Sequence, residues 1–238
     1  MYRNKLEQST QPRKDLFLRE KFIVLKDVHA FGIEECFMKL SWLDFIQCTG
    51  GDEIYMDEIT KWMYSLEKDE GNNPPVTTRL IGKVNEVDVV LSFDEMKRIS
   101  KYDTKDTSNG PYTYPKDAEL ADETKTEEWK ARVRSLPPGV DLIKWSLKID
   151  FLHPMPRFFM RFITYNVMTR TSELDKVRFP EMLVLEALMT GAPKLSVKHL
   201  IMYNVWEARE REQRMMIPHA RLLSSLLKKQ GAIPKGVC

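Results

Sequence analysis

The chain has 238 residues, of which 42% are hydrophobic and 30% charged, a composition that excludes a disordered protein and favours a folded one with an ordinary core. No run of about 18 apolar residues occurs, which argues against a membrane span, and the N-terminus lacks the apolar block of a secretory signal. The three cysteines are widely spaced and odd in number, which argues against a disulfide framework and favours a reducing intracellular compartment, cytoplasmic or nuclear.

The net charge of +2 hides an asymmetry between the two parts of the chain. Residues 151–238 carry 14 Lys and Arg against 7 Asp and Glu, whereas the first 150 residues carry 23 against 28. A moderately basic C-terminal part permits contact with a polyanion. Solvated helices commonly carry this many charges, so an ordinary charged surface is the favoured interpretation of the count alone.

Two helices are predicted in the N-terminal half. Residues 1–28 are polar and basic and are predicted to form a flexible lead. Apolar residues then predict a helix over 33–46, which a pair of glycines ends. A second helix is predicted over 52–66, because four apolar residues recur there at helical spacing and form one continuous stripe, namely Ile59, Trp62, Met63 and Leu66.

After these helices the hydrophobic pattern changes from the helical period to that of β-strands. Residues 76–83 and 87–92 are short β-leaning runs and predict a hairpin. Ser92 and Glu95 have the spacing of a capping box, so a helix is predicted to begin there and to end near residue 102. These elements define a predicted N-terminal helical subdomain over residues 29–102, which contains the hairpin.

The C-terminal part is predicted to be a helical subdomain over residues 126–233, separated from the first by a polar loop or disordered insertion at 103–125. Four helix-like segments follow one another after residue 150. Gly191 and Gly231 occupy positions of C-terminal caps, and Pro218 that of a first helical residue. The predicted fold is mainly α with a small β hairpin (α+β), and its C-terminal part is a multi-helix bundle.

The sequence carries no recognisable catalytic or metal-binding motif. The cysteines and histidines lack the spacing of zinc ligands. No nucleophile elbow and no Gly-rich phosphate loop occurs. We therefore expect no enzyme activity, no metal and no cofactor, although His153, His199 and His219 could converge in space to form a distant third possibility, an enzyme acting on nucleic acid.

Basic residues near the start of the C-terminal part are the candidate binding residues. Arg157 and Arg161 are four residues apart and share a helix face. Aromatic residues surround them in the sequence, so a phosphate-contacting edge beside aromatic rings is one interpretation. Buried aromatics beside solvated arginines are the other, and the more ordinary one. The full candidate set for nucleic-acid binding is Arg157, Arg161, Arg170, Lys176 and Arg178.

The order of several blocks resembles a known plant family. The blocks are GIEECFMKLSWLDFI, EITKWMYSL, RLIGKVNEVDVVLSFDEMKRI and RFITYNVMTRTSELDKVRFPEMLVLEALMTGAPKLSVKHLIMYNV, followed by IPHARLLSSLLKKQGA. They resemble the putative plant transposon proteins, which are similar to the first open reading frame product of Athila-type gypsy retrotransposons. The resemblance implies a retrotransposon-derived origin in a plant, and it supplies no catalytic residues.

Four functional hypotheses follow. The leading one is a noncatalytic helical interaction module that binds protein or nucleic acid, with no membrane partner. The second is a self-associating, capsid-like or scaffold protein. It is motivated by the apolar side that Met182, Leu185, Leu188 and Met189 form on one predicted helix. The third is the enzyme acting on nucleic acid named above, and the fourth is an element remnant that folds but has no selected role.

Overall fold

The structure is a computed structural model, and it describes residues 25–40, 42, 53–68, 79–100, 148–169, 174–191, 195–210 and 217–233. These residues form eight α-helices and a small antiparallel sheet. The predicted class, mainly α with a small β element, is confirmed. None of the helices in these ranges has both the length and the apolar character that crossing a lipid bilayer requires.

The chain enters its described part with two short helices, α1 (Leu25–Ala30) and α2 (Glu34–Lys39). Helix α1 begins inside the segment predicted as a flexible lead, and its Val28 is fully buried. Helix α2 confirms part of the helix predicted over 33–46 but ends at Lys39, and residues 41 and 43–46 lie outside the described part. The next helix, α3 (Met56–Tyr64), is shorter than the predicted 52–66, but the predicted apolar stripe is buried.

The sheet contains three antiparallel strands in the order β1 (Glu67–Lys68), β2 (Arg79–Val84) and β3 (Val87–Ser92). Strands β2 and β3 form the predicted hairpin. Their two-residue turn places Asn85 and Glu86 at φ +49° and +64°, as a type I′ turn requires. Strand β1 was not predicted, because two charged residues carry no periodic signal.

Helix α4 (Phe93–Ser100) begins directly after the hairpin. The Glu95 amide donates a hydrogen bond to Ser92 Oγ at 3.3 Å, which is one half of the predicted capping box. In a full capping box the Glu95 carboxylate would accept a hydrogen bond from the backbone N–H of Ser92. Here that carboxylate pairs with Arg98.

Four helices build the C-terminal part. They are α5 (Pro154–Phe162), α6 (Phe179–Thr190), α7 (Val197–Glu210) and α8 (Ala220–Lys229). A 3-10 helix (Ile149–Phe151) precedes α5, and a π-helix (Ile163–Val167) continues it. Gly191 and Gly231 follow α6 and α8 at φ +80° and +76°, which confirms their prediction as C-terminal caps.

The predicted start of α8 was wrong by two residues. Pro218 is not the first helical residue, because His219 follows it at φ +54° and the helix begins at Ala220. A left-handed residue cannot continue a right-handed helix, so His219 acts as the N-cap.

Helix α8 packs against α3, α4 and β3. Beyond its end, the Gln230 side-chain amide accepts a hydrogen bond from Val90 N–H at 2.9 Å and donates one to Val90 O at 2.8 Å. The outer edge of β3 is therefore covered by a side chain from the other end of the chain. The segment 103–125 lies outside the described residues, and the division into two subdomains stays a prediction.

The apolar stripes of the C-terminal helices form the core together with residues of α2, α3 and the sheet. Met182, Leu185 and Leu188 are almost fully buried, and Met189 packs against the core. These residues were the motivation for self-association. Because they are covered within the chain, they do not provide an exposed apolar side for a second copy.

Candidate functional site

Helix α5 presents one face to the core and another to solvent. Two prolines stand in its first turn, where their lack of an amide hydrogen is tolerated. Phe159, Met160 and Phe162 are buried. On the opposite face, Phe158 is partly buried and the Arg161 side chain is 60% exposed. The two are three residues apart, so they are neighbours on the helix surface.

Arg157 has a structural role at the base of this helix. Its Nη2 donates hydrogen bonds to Asp150 O at 2.7 Å and Leu152 O at 2.9 Å. The guanidinium thereby satisfies carbonyl groups at the end of the 3-10 helix and fixes how the chain enters α5. Of the candidate binding residues, Arg157 is therefore already engaged in holding the backbone.

Arg161 is held less firmly. Its Nη2 lies 3.6 Å from Asp150 Oδ1, and both side chains are mostly exposed. Ion pairs of this kind contribute about 0–1 kcal/mol, because water screens them and ordering two long side chains costs entropy. A phosphate group can therefore compete with Asp150 for this guanidinium.

A β-bridge brings further basic residues to the same neighbourhood. Lys148 and Lys176 pair across an isolated antiparallel bridge, and Ile149 N–H donates to Asp175 O at 2.7 Å. The chain segment that contains Lys176 therefore lies beside the residues that Arg157 and Arg161 contact. Lys148 is exposed and Lys176 partly buried.

The last two candidates lie at or beyond the edge of this neighbourhood. Arg178 is the N-cap residue of α6, and its backbone N–H donates to Glu181 Oε2 at 3.0 Å. Arg170 lies outside the described residues. The structure therefore brings Arg157, Arg161 and Lys176 together, with Arg178 two residues farther along the chain segment.

Phe31 adds an aromatic ring that the sequence did not indicate as functional. It lies in the turn between α1 and α2, is 65% exposed, and has its ring centroid 5.3 Å from that of Phe158. Gly32 follows at φ +63°, so the chain reverses there and leaves Phe31 on the outside of the turn. The only signal in the sequence was this Phe-Gly pair between two helical segments. We call Phe31, Phe158, Lys148, Arg161 and Lys176 the aromatic–basic surface.

The three histidines lie on different elements and in different environments. His153 is exposed at the start of α5, His199 lies on α7 with its ring 4.4 Å from that of Phe93, and His219 is buried. Throughout the described ranges, no three or more His, Cys, Asp or Glu side chains are grouped so that they could hold a metal ion.

His219 gives a prediction about pH. Burial lowers the pKa of this imidazole from 6.5 to about 4, and its Nε2 has no hydrogen-bond partner among the residues that the structure describes. Above pH 6.5 both the folded and the unfolded chain carry a neutral ring. As the pH falls below that, only the unfolded chain takes up the proton, so the free energy of unfolding drops by up to about 3 kcal/mol near pH 4.

The substitution His219→Asn removes this ring, and asparagine tolerates left-handed backbone. Urea unfolding of both proteins at pH 7 and near pH 4 measures the effect. We expect the free energy of unfolding to fall less for the variant than for the wild type between pH 7 and pH 4. An equal gap at both values would show that His219 does not contribute to the pH dependence.

Comparisons with known proteins add no assignment to this geometry: no family model matches the chain, and neither a curated protein nor a solved structure matches it.

Proposed function

We propose that the chain is a noncatalytic interaction module, of the plant retroelement origin that its sequence resemblance implies, and that it binds nucleic acid inside the cell, in the cytoplasm or nucleus. The observation that supports this is that the exposed ring of Phe31 contacts Phe158, three residues before Arg161 on α5. Arg161 in turn pairs with Asp150, in the segment where Lys148 is bridged to Lys176. Basic side chains contact phosphates, and aromatic rings contact bases.

The charge balance of this neighbourhood favours an anionic partner. Among the described residues, five basic residues lie along α5 and the two bridged segments, and three acidic residues accompany them. The basic ones are Lys148, Arg157, Arg161, Lys176 and Arg178, and the acidic ones are Asp150, Asp175 and Glu181. A local excess of positive charge attracts a polyanion and raises its association rate, most strongly at low salt.

Binding of the full chain to labelled DNA and RNA across a salt series tests the proposal. We expect binding at about 50 mM salt, with an affinity that falls linearly on a log–log plot as counterions are released. The double variant Arg161→Ala with Lys176→Ala should bind more weakly at low salt. Its salt slope should be shallower by about 1 for each phosphate that the variant no longer neutralises.

Arg98→Ala is the matched control, because Arg98 is 65% exposed and is also paired with an acidic side chain, that of Glu95. It lies on α4, which packs against α8 and β3, so its removal should leave the affinity within about twofold. The proposal is refuted if the wild type does not bind at about 50 mM salt. It is also refuted if Arg98→Ala weakens binding as much as the double variant does.

A further inference from the structure

We infer that the aromatic–basic surface prefers single-stranded over double-stranded nucleic acid, because Phe31 offers its ring to an unpaired base. This inference rests on the proposed function and specifies its substrate class. It depends on the exposure of Phe31, on the rings that support it, and on the distribution of charge around it.

Phe31 is part of a row of rings that reaches from solvent into the core. Its ring contacts Phe158, whose own ring centroid lies 5.9 Å from that of the fully buried Phe159. Phe159 in turn meets Phe37 edge to face at 5.6 Å. Phe31 is therefore backed by packed side chains on one side, while 65% of it remains accessible. A supported ring loses little conformational freedom when a base covers it.

The bases of a duplex are already stacked and paired, so their faces are not available to a protein side chain. An unpaired base has free faces, and stacking on an aromatic ring is tolerant of sequence. Arg161 lies one helical turn from Phe158, so the phosphate beside a base on Phe31 falls within reach of a cation.

An apolar segment of a partner protein is the competing occupant. Met155 is 46% exposed one turn before Phe158, and methionine and phenylalanine are common in protein interfaces. The charges decide between the two: Lys148, Arg161 and Lys176 give this surface an excess of positive charge, which a phosphate backbone complements.

The test compares three forms of the full chain: the wild type, Phe31→Ala and Phe31→Trp. Each is titrated at low salt with an unstructured oligothymidine of about 20 nucleotides and with a duplex of the same length. We expect the wild type to bind the single strand about tenfold more tightly than the duplex. Phe31→Ala should lose about tenfold for the single strand and leave the duplex affinity unchanged, whereas Phe31→Trp should retain single-strand binding.

Ile54→Ala is the control for removal of an exposed apolar side chain, since Ile54 is 38% exposed and directly precedes Tyr55, whose backbone N–H donates to Ser224 of α8. It should not change either affinity. Equal binding of single strand and duplex, or unchanged single-strand binding by Phe31→Ala, would overturn the inference while leaving salt-dependent nucleic-acid binding intact. The second result would favour a protein occupant for Phe31. Failure of the wild type to bind either probe would instead reject the proposed function, and this inference with it.

Discussion

Replacing Gly82 with alanine is expected to lower the free energy of unfolding by about 3 kcal/mol or more. Gly82 lies in β2, where the indole of Trp62 packs directly on the strand. A Cβ atom at this position would lie 2.7 Å from Trp62 Cδ1 and Nε1 and 2.8 Å from Trp62 O. Trp62 is fully buried and its Nε1 donates a hydrogen bond to Val89 O at 3.0 Å, so neither the ring nor the backbone can withdraw cheaply.

Gly32→Ala is the matched control for this substitution. Gly32 has φ +63°, but no atom of the described residues lies within 4 Å of the position that its Cβ would take. Only the backbone cost of a left-handed alanine remains there, which is about 1 kcal/mol. Urea denaturation of both variants measures the difference. If Gly82→Ala proves no more costly than Gly32→Ala, the close packing of Trp62 on β2 is incorrect.

Replacing Phe37 with alanine is expected to cost about 3–5 kcal/mol. Phe37 is fully buried in α2 and meets two rings of α5 edge to face, those of Phe159 at 5.6 Å and Phe162 at 5.2 Å. Its removal leaves a cavity between these helices and deletes two favourable ring interactions. Thermal or urea unfolding reports the destabilisation directly.

The neighbouring residue provides the control. Met38 is also a large apolar side chain in α2 but is 59% exposed, so Met38→Ala should change stability by no more than about 0.5 kcal/mol. Similar destabilisation by the two variants would contradict the packing of α2 on α5. The comparison also bears on the candidate surface, because Phe37 anchors the helix that follows the turn carrying Phe31.

Local patterns were sufficient to predict several elements. The hairpin was predictable because two β-leaning runs flank a polar connector, and β3 has the bounds 87–92 that the sequence indicated. Gly191 was predictable as a cap because glycine adopts left-handed backbone without steric cost. In each of these cases, the signal and the structure that it specifies lie within a few residues of each other.

Contacts between distant residues were not predictable in this way. Gln230 covers the edge of β3 by bonding to Val90, which is 140 positions away, and hydropathy periodicity carries no information about such a pair. The left-handed backbone of His219 was missed because the preceding proline suggested a helix start.

The aromatic–basic surface was partly predictable from the sequence and partly not. The sequence identified Arg157, Arg161 and Lys176 as candidates but could not show that Arg157 holds the carbonyl groups of Asp150 and Leu152. It also gave no reason to associate Phe31 with α5, since 127 positions separate it from Phe158. Phe37 of α2 packs against two rings of α5, and Phe31 lies in the turn that precedes α2 and contacts Phe158 of α5.

Chemical-shift mapping of the full chain with an unstructured oligothymidine at low salt tests the account most directly. The apolar stripes of the C-terminal helices form the core, and recognition is assigned to the aromatic–basic surface. We therefore expect the largest changes at Phe31, Phe158 and Arg161, and expect added salt to reverse them. Changes centred on α7 or α8, or none at all, would contradict the account.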